Sequence, residues 1–83
     1  MANNLNSGDK GAGVLILQGT LHFLGYDITD IDGIFGGETE DAVRAFQEDM
    51  GLDADGIVGE GTANAIVSEL WSSGYDEDDD GEV

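Results

Sequence analysis

One pattern occurs twice in this chain, and the duplication limits the folds open to it. Residues 32–43 and 55–66 share Asp-Gly-Ile, an apolar residue, Gly, then a Thr, and later Ala followed by an apolar residue. Asp-Gly predicts a tight turn, because glycine adopts positive φ freely and an Asp carboxylate can accept a backbone N–H. A helix is expected to start near each Thr. Two turn–helix units that cannot bury their apolar faces alone are expected to pack together.

A further helix is predicted before the first copy. Val14, Leu17, Leu21 and Leu24 follow helical spacing, and Gly25 stands where a helix commonly ends. The stripes expected to face the core in the later helices are Ala42, Val43, Phe46 and Met50, then Ala65, Ile66 and Leu70. The predicted fold is all-α, a small three-helix bundle with two repeated turn–helix units. Helices should start within residues 36–39 and 59–62.

The chain divides by composition into a polar N-terminal arm (residues 1–8), a helical domain (9–71) and an acidic C-terminal tail (72–83). No cysteine is present to form a disulfide or a thiolate metal site. No apolar run is long enough to cross a bilayer, so no membrane insertion is expected. The first residues lack a basic start and an apolar core, which predicts cytoplasmic synthesis without standard secretion.

The charge of the chain is extreme. Nineteen Asp and Glu residues face two Lys and Arg residues, for a net charge of −17. Such a field repels nucleic acid, so no nucleic-acid partner is expected. Acidity of this degree is typical of disorder, but the 40% hydrophobic content and the ordered spacing argue against that for most of the chain. We interpret it as adaptation to high salt, which screens self-repulsion.

The motifs together resemble the peptidoglycan-binding domain family, a small three-helix module found beside many cell-wall hydrolases. The matching segments, in order, are Leu17-Gln18, Leu21, Leu24-Gly25-Tyr26, residues 32–36, Thr39, residues 42–47, Gly51-Leu52, residues 55–59 and Thr62. They cover roughly residues 9 to 71. The resemblance implies a non-catalytic module that holds a glycan or stem peptide in a shallow groove near the turn–helix junctions.

On that resemblance, the candidate ligand-binding residues are Tyr26, Asp32, Phe35, Gly36, Thr39 and Asp55. The aromatic members are candidates for stacking on sugar, although packing in a small core or at a helix end explains both Tyr26 and Phe35 more simply. Arg44 lies four residues from Glu40 and from Glu48, so ion pairing along a helix explains it without a ligand.

The first helix departs from the family's usual pattern by carrying a second apolar stripe. Leu15, Gly19 and Phe23 lie at i, i+4 and i+8, beside the core stripe. In so small a bundle, this predicts an interface with another protein chain, with Gly19 allowing close approach. Local variation that extends the core is the alternative.

The chemistry of catalysis is not visible in the sequence. The single histidine, His22, has no recognisable acid–base partner, and the serines lack a nucleophile-elbow context. Residues 76–81 match the opening of a calcium loop, but the bidentate Glu at its twelfth position would fall beyond residue 83. We therefore expect diffuse cation association by the tail, no specific metal or cofactor, and no enzymatic activity.

Two classes of function remain at this point. One is a structural or adaptor subunit of a larger assembly, such as a halophilic virus particle, built on a wall-binding fold. The other is a protein that binds a glycan of the cell envelope. The second apolar stripe and the absence of a hydrolase segment favour the first, which places the chain on a virion or a cell-envelope surface.

Overall fold

The computed structural model describes residues 4–72. They form three helices: α1 (Ala12–Phe23), α2 (Gly37–Met50) and α3 (Glu60–Ser72). The predicted all-α bundle is confirmed, and both later helices start inside the predicted windows. Ten buried hydrophobic side chains make one core: Val14, Leu17, Leu21, Ile28, Phe35, Ala42, Val43, Phe46, Val58 and Ile66. None of the helices in this part of the chain combines the length and apolarity that crossing a membrane requires.

Helices α1 and α2 end in the same way. Gly25 has a φ of 99° and Gly51 a φ of 75°, a region open to glycine and costly for other residues. The N–H of the next residue donates back into the last turn, from Tyr26 to Leu21 O at 2.9 Å and from Leu52 to Gln47 O at 2.8 Å. The predicted end of the first helix at Gly25 is confirmed.

The two Asp-Gly turns also match each other. Gly33 and Gly56 have φ values of 79° and 76°. The carboxylate of Asp32 accepts the N–H of Ile34 at 3.0 Å, and that of Asp55 accepts the N–H of Ile57 at 2.9 Å. The duplicated sequence therefore forms the same Asp-Gly turn twice.

Residues 5–11, part of which was predicted as a polar N-terminal arm, are hydrogen-bonded to both turn segments. Leu5 and Val58 exchange two backbone hydrogen bonds, at 3.1 and 2.8 Å. The N–H of Gly8 donates to Phe35 O, and the N–H of Phe35 donates to Asp9 O, both at 2.9 Å. Phe35 and Val58 are buried, so their backbone polar groups need partners. The N-terminal segment supplies those partners.

Candidate functional site

A buried glutamine holds each Asp-Gly turn against the helix that precedes it. Gln18 is 1% exposed, and its Oε1 accepts the N–H groups of Asp32 and Gly33 at 3.0 and 2.8 Å. Its Nε2 approaches Asp32 Oδ1 at 3.2 Å, Ile34 O at 2.9 Å and Thr39 Oγ1 at 2.9 Å. An amide nitrogen has only two hydrogens, so one hydrogen must be shared between two of the three acceptors.

Gln47 repeats this arrangement in the second unit. Its Nε2 donates to Asp55 Oδ1, Ile57 O and Thr62 Oγ1 at 3.0, 3.0 and 3.1 Å. Its Oε1 accepts the N–H of Gly56 at 2.9 Å. These are the only glutamines in the sequence. Each one joins a helix, the following turn and the start of the next helix.

A groove lies at each turn–helix junction. The first groove, of about 250 Å³, is lined by Gln18, Asp30, Asp32, Ile34, Gly36, Gly37, Glu38 and Thr39. The second groove, of about 360 Å³, is lined by Asn4, Leu52, Asp53, Asp55, Ile57, Gly59, Gly61 and Thr62. The repeat relates Asp30, Asp32, Ile34, Gly36, Glu38 and Thr39 to Asp53, Asp55, Ile57, Gly59, Gly61 and Thr62. The duplication therefore extends to six of the residues that line each groove.

Carboxylates line both grooves: Asp30, Asp32 and Glu38 the first, Asp53 and Asp55 the second. The N–H of Ile34, and after it the amide of Gln18, hold the pKa of Asp32 below its ordinary value. The N–H of Ile57, and after it the amide of Gln47, lower the pKa of Asp55 in the same way. Both bonds use Oδ1, so Oδ2 of each residue can accept a hydrogen bond from a ligand.

Glu38 braces the loop between α1 and α2. Its carboxylate accepts the Thr29 hydroxyl at 2.7 Å and the N–H groups of Thr29 and Asp30 at 3.1 and 3.2 Å. The pKa of Glu38 is lowered, first by the Thr29 hydroxyl and then by those N–H groups. Glu38 also lines a third, separate concavity of about 600 Å³, together with Gly25, Tyr26, Asp27, Asp41, Ala42 and Ala45.

The candidate ligand-binding residues are divided among these features. Asp32, Gly36 and Thr39 line the first groove and Asp55 lines the second, while Tyr26 lies in the third concavity. The expectation for Phe35 needs correction, because it is 1% exposed and lies in the core, out of reach of a sugar. Thr39 is 2% exposed with its hydroxyl facing Gln18, so it shapes the groove from beneath.

Tyr26 packs at the end of α2. Its hydroxyl donates to Asp49 Oδ2 at 2.6 Å, and its ring meets Phe46 edge-on with centroids 5.7 Å apart. Burial, followed by the bond to Asp49, raises the pKa of Tyr26 to about 12. The side chain therefore stays neutral and its hydroxyl serves as a donor to Asp49.

Other polar residues singled out in the sequence have structural roles here. Arg44 pairs with Glu40 at 2.8 Å. His22 Nδ1 lies 3.3 Å from Ile28 O, in the loop after α1. No cluster of His, Asp and Glu suited to a metal occurs among residues 4–72, and the calcium-like segment 76–81 lies outside them.

Sequence reasoning missed the roles of Gln18, Gln47, Glu38 and Asn4. A signal for the glutamines was available: Gln18 follows Leu17 inside the apolar stripe, and Gln47 follows Phe46 in the same way. A polar side chain at a core position needs buried partners, and the Asp-Gly turn that follows supplies them. Glu38 and Asn4 carry no comparable signal, because each acts on a loop that has no repeating pattern.

The bonded carboxylates predict a specific acid sensitivity. The pKa values of Asp32 and Asp55 are lowered in the fold, so their contribution is complete above the ordinary carboxyl range and is lost as pH falls through the folded values. In an Asp32→Asn/Asp55→Asn variant, the Oδ1 acceptors remain but do not titrate. We expect its thermal midpoint to fall less than that of the wild type between about pH 5 and pH 2.

The matched control is Asp30→Asn/Asp53→Asn, which removes two equivalent carboxylates that make no side-chain hydrogen bond within residues 4–72. This control corrects for the change in net charge. Equal acid dependence in the two double variants, followed by circular dichroism, would contradict the assignment.

Comparison with known proteins agrees with this architecture. Residues 10–66 match the family model described as a putative peptidoglycan binding domain. A spore cortex-lytic enzyme of Oceanobacillus iheyensis is 36% identical over 74 residues, which are 89% of this chain and 26% of that protein. The spore cortex-lytic enzyme of Bacillus subtilis is 39% identical over 64 residues, covering 76% of this chain and 21% of that protein.

Solved structures show the same likeness. The crystal structure of the SleB N-terminal domain superimposes with a TM-score of 0.79 at 36% identity, over 81% of this chain and 92% of that one. The endolysin of the Burkholderia phage AP3 gives a TM-score of 0.73 at 47% identity, over 77% of this chain and 24% of that one. The chain spans about a quarter of the length of the curated relatives it matches. With the family model covering most of its length, this chain belongs to the family of putative peptidoglycan-binding domains.

Proposed function

We propose that this chain is a non-catalytic module that binds the peptidoglycan of a cell envelope through its two turn–helix grooves. The observation that carries the proposal is the repeat of one groove at equivalent positions in a member of this family. A wall glycan is itself a repeating polymer. Two like grooves on one small bundle offer two contacts to such a strand.

The chemistry of the grooves suits a ligand rich in donors. Asp30, Asp53 and the free Oδ2 atoms of Asp32 and Asp55 are acceptors for sugar hydroxyls, amide N–H groups or the ammonium groups of stem peptides. Ile34 and Ile57 are 49% and 37% exposed and offer an apolar surface to the C–H face of a sugar. The negative field disfavours polyanionic wall components.

The relatives favour wall binding over an assembly subunit. Their names describe spore cortex-lytic enzymes and an endolysin, and none describes a structural component of a particle. The virion hypothesis from the sequence therefore has no support among them. We place the chain at a cell envelope, with a wall polymer as its partner.

We also propose that the net charge of −17 suits a medium of high ionic strength. Among residues 4–72 a single Lys or Arg side chain, Arg44, forms an ion pair with a carboxylate. The remaining carboxylates repel one another over several ångströms unless salt screens them. The overall acidity is thus an adaptation to the surroundings, beyond the few carboxylates that line the grooves.

The binding test uses substitutions that fill each groove without weakening the fold. Gly37 lines the first groove and Gly61 the second; both lie in helices, with nothing within 4 Å of a Cβ built there. Leucine at either position improves helix propensity. We expect Gly37→Leu and Gly61→Leu each to reduce affinity for purified sacculi about tenfold, equal to about 1.4 kcal/mol.

Ser68→Leu provides the control, because it adds the same side chain to an exposed site on α3 outside both grooves. Retention on sacculi is measured by cosedimentation at one salt concentration, with circular dichroism to verify folding. Wild-type protein that fails to cosediment would refute wall binding. If it binds but both leucine variants bind equally well, the grooves are not the site.

A further inference from the structure

The outward face of α1 has the spacing of a helix-pairing seam. Ala12, Ile16, Gly19 and Phe23 are separated by four, three and four residues, the heptad pattern that keeps a narrow stripe on one side of a helix. We name these four residues the α1 seam. It lies opposite the buried side, which contains Val14, Leu17, Gln18 and Leu21. Ile16 and Phe23 are 68% and 52% exposed.

The α1 seam differs from the interface predicted from sequence, which was Leu15, Gly19 and Phe23. Gly19 and Phe23 belong to the seam, whereas Leu15 lies at its edge. A Cβ built on Gly33 would be 3.9 Å from Leu15 Cβ, so Leu15 sits beside the first turn and is 43% exposed. Ile16, more exposed than either Leu15 or Phe23, takes its place.

The absence of charged residues on α1 favours a second copy of this chain as the partner of this face. Helix α1 contains no Asp, Glu, Lys or Arg, and no carboxylate occurs between Asp9 and Asp27. Helix α2 carries five acidic residues and α3 carries two. A basic partner would be drawn to those helices. Two copies of this chain, in contrast, can meet through α1 without bringing carboxylates on their helices into the contact.

The sizes of the seam residues specify the direction of pairing. In an antiparallel pair, Ala12 lies opposite the partner's Phe23, and Ile16 lies opposite the partner's Gly19. Each layer then joins one large and one small residue, and a two-fold axis repeats both contacts. A parallel pair would oppose Phe23 to itself and Gly19 to itself, leaving one layer crowded and another empty.

We propose that the α1 seam joins two copies of this chain as an antiparallel helix pair. A helix of 12 residues spans about 18 Å, so the contact is small and the dimer forms at high protein concentration. Salt strengthens it, because two acidic bodies must come together. The proposal is independent of wall binding, since the seam residues line neither groove.

Sedimentation equilibrium on the whole chain tests the pairing. We expect the average mass of the wild type to rise toward a dimer between about 10 µM and 1 mM in about 1 M KCl. Ile16→Asp buries a charge in the contact and should weaken association at least about 100-fold. Val67→Asp, at a site on α3 that is 50% exposed, is the matched control and should dimerise like the wild type.

An exchange of sizes provides the second test. Gly19→Ile alone opposes isoleucine to isoleucine, and Ile16→Gly alone leaves a gap, so both should weaken the dimer. The double variant Ile16→Gly/Gly19→Ile restores one large and one small residue in that layer and should recover association. A monomer at every concentration overturns the proposal. So does equal behaviour of Ile16→Asp and Val67→Asp, or a double variant no better than either single one.

Discussion

Gln18→Ala is expected to lower the free energy of unfolding by about 3 kcal/mol or more, since each buried polar group left without a partner costs about 1–3 kcal/mol. The substitution removes five hydrogen bonds and strands the N–H groups of Asp32 and Gly33. For a domain of this size, that loss corresponds to a fall in thermal midpoint of about 12–24 °C.

Gln47→Ala should show the same effect with a smaller amplitude, because its Oε1 accepts one backbone N–H where that of Gln18 accepts two. Gln18→Glu keeps the shape and the acceptor but loses the donor, and it places a second carboxylate against Asp32. It should therefore also destabilise at neutral pH and recover partly in acid. Thermal unfolding of the three variants measures this series. A shift below about 1 kcal/mol for Gln18→Ala would show that the turn stands without its glutamine.

Raising KCl from about 0.1 M to about 3 M is expected to increase the thermal midpoint strongly, because the screening length shrinks from about 10 Å to about 3 Å or less and repulsion among the carboxylates weakens. If the relief of repulsion is worth about 2 kcal/mol, the midpoint rises by roughly 10 °C. Circular dichroism at a fixed pH measures the change.

A variant with fewer charges separates screening from other effects of salt. Asp27, Asp41 and Glu48 are exposed, and their side chains make no hydrogen bond within residues 4–72. Asp27→Asn/Asp41→Asn/Glu48→Gln should start from a higher midpoint in dilute buffer and gain less from KCl. Identical salt slopes for this variant and the wild type would remove charge repulsion as the cause.

The fold was predictable from sequence because several local signals agree. The Asp-Gly turns, the glycines at positions 25 and 51 and the apolar stripes all predict the same three helices, and the structure has them. The N-terminal segment was not predictable. It pairs with the backbone N–H and C=O groups of Phe35 and Val58, which are distant in sequence. The polar composition of the segment does not indicate this pairing.

The site was predictable as a region and less so as a set of residues. The repeat placed Asp32 and Asp55 correctly at two turn–helix junctions. Phe35 was misplaced because a motif shows which positions recur and does not show which side chains point outward. Asn4 lines the second groove only because the N-terminal segment packs there in the folded chain, so no local sequence pattern predicts its position.

Helix α2 takes part in both turn–helix units. Its Thr39 hydroxyl accepts a hydrogen bond from Gln18, and its Gln47, eight positions later, donates to Thr62 in the second unit. Eight positions after Thr62, helix α3 has Leu70 where an amide would be required. A further turn–helix unit grafted behind α3 would find no side chain to hold its Asp-Gly backbone. Leu70 therefore cannot make, toward a following turn, the amide contacts that Gln18 and Gln47 make.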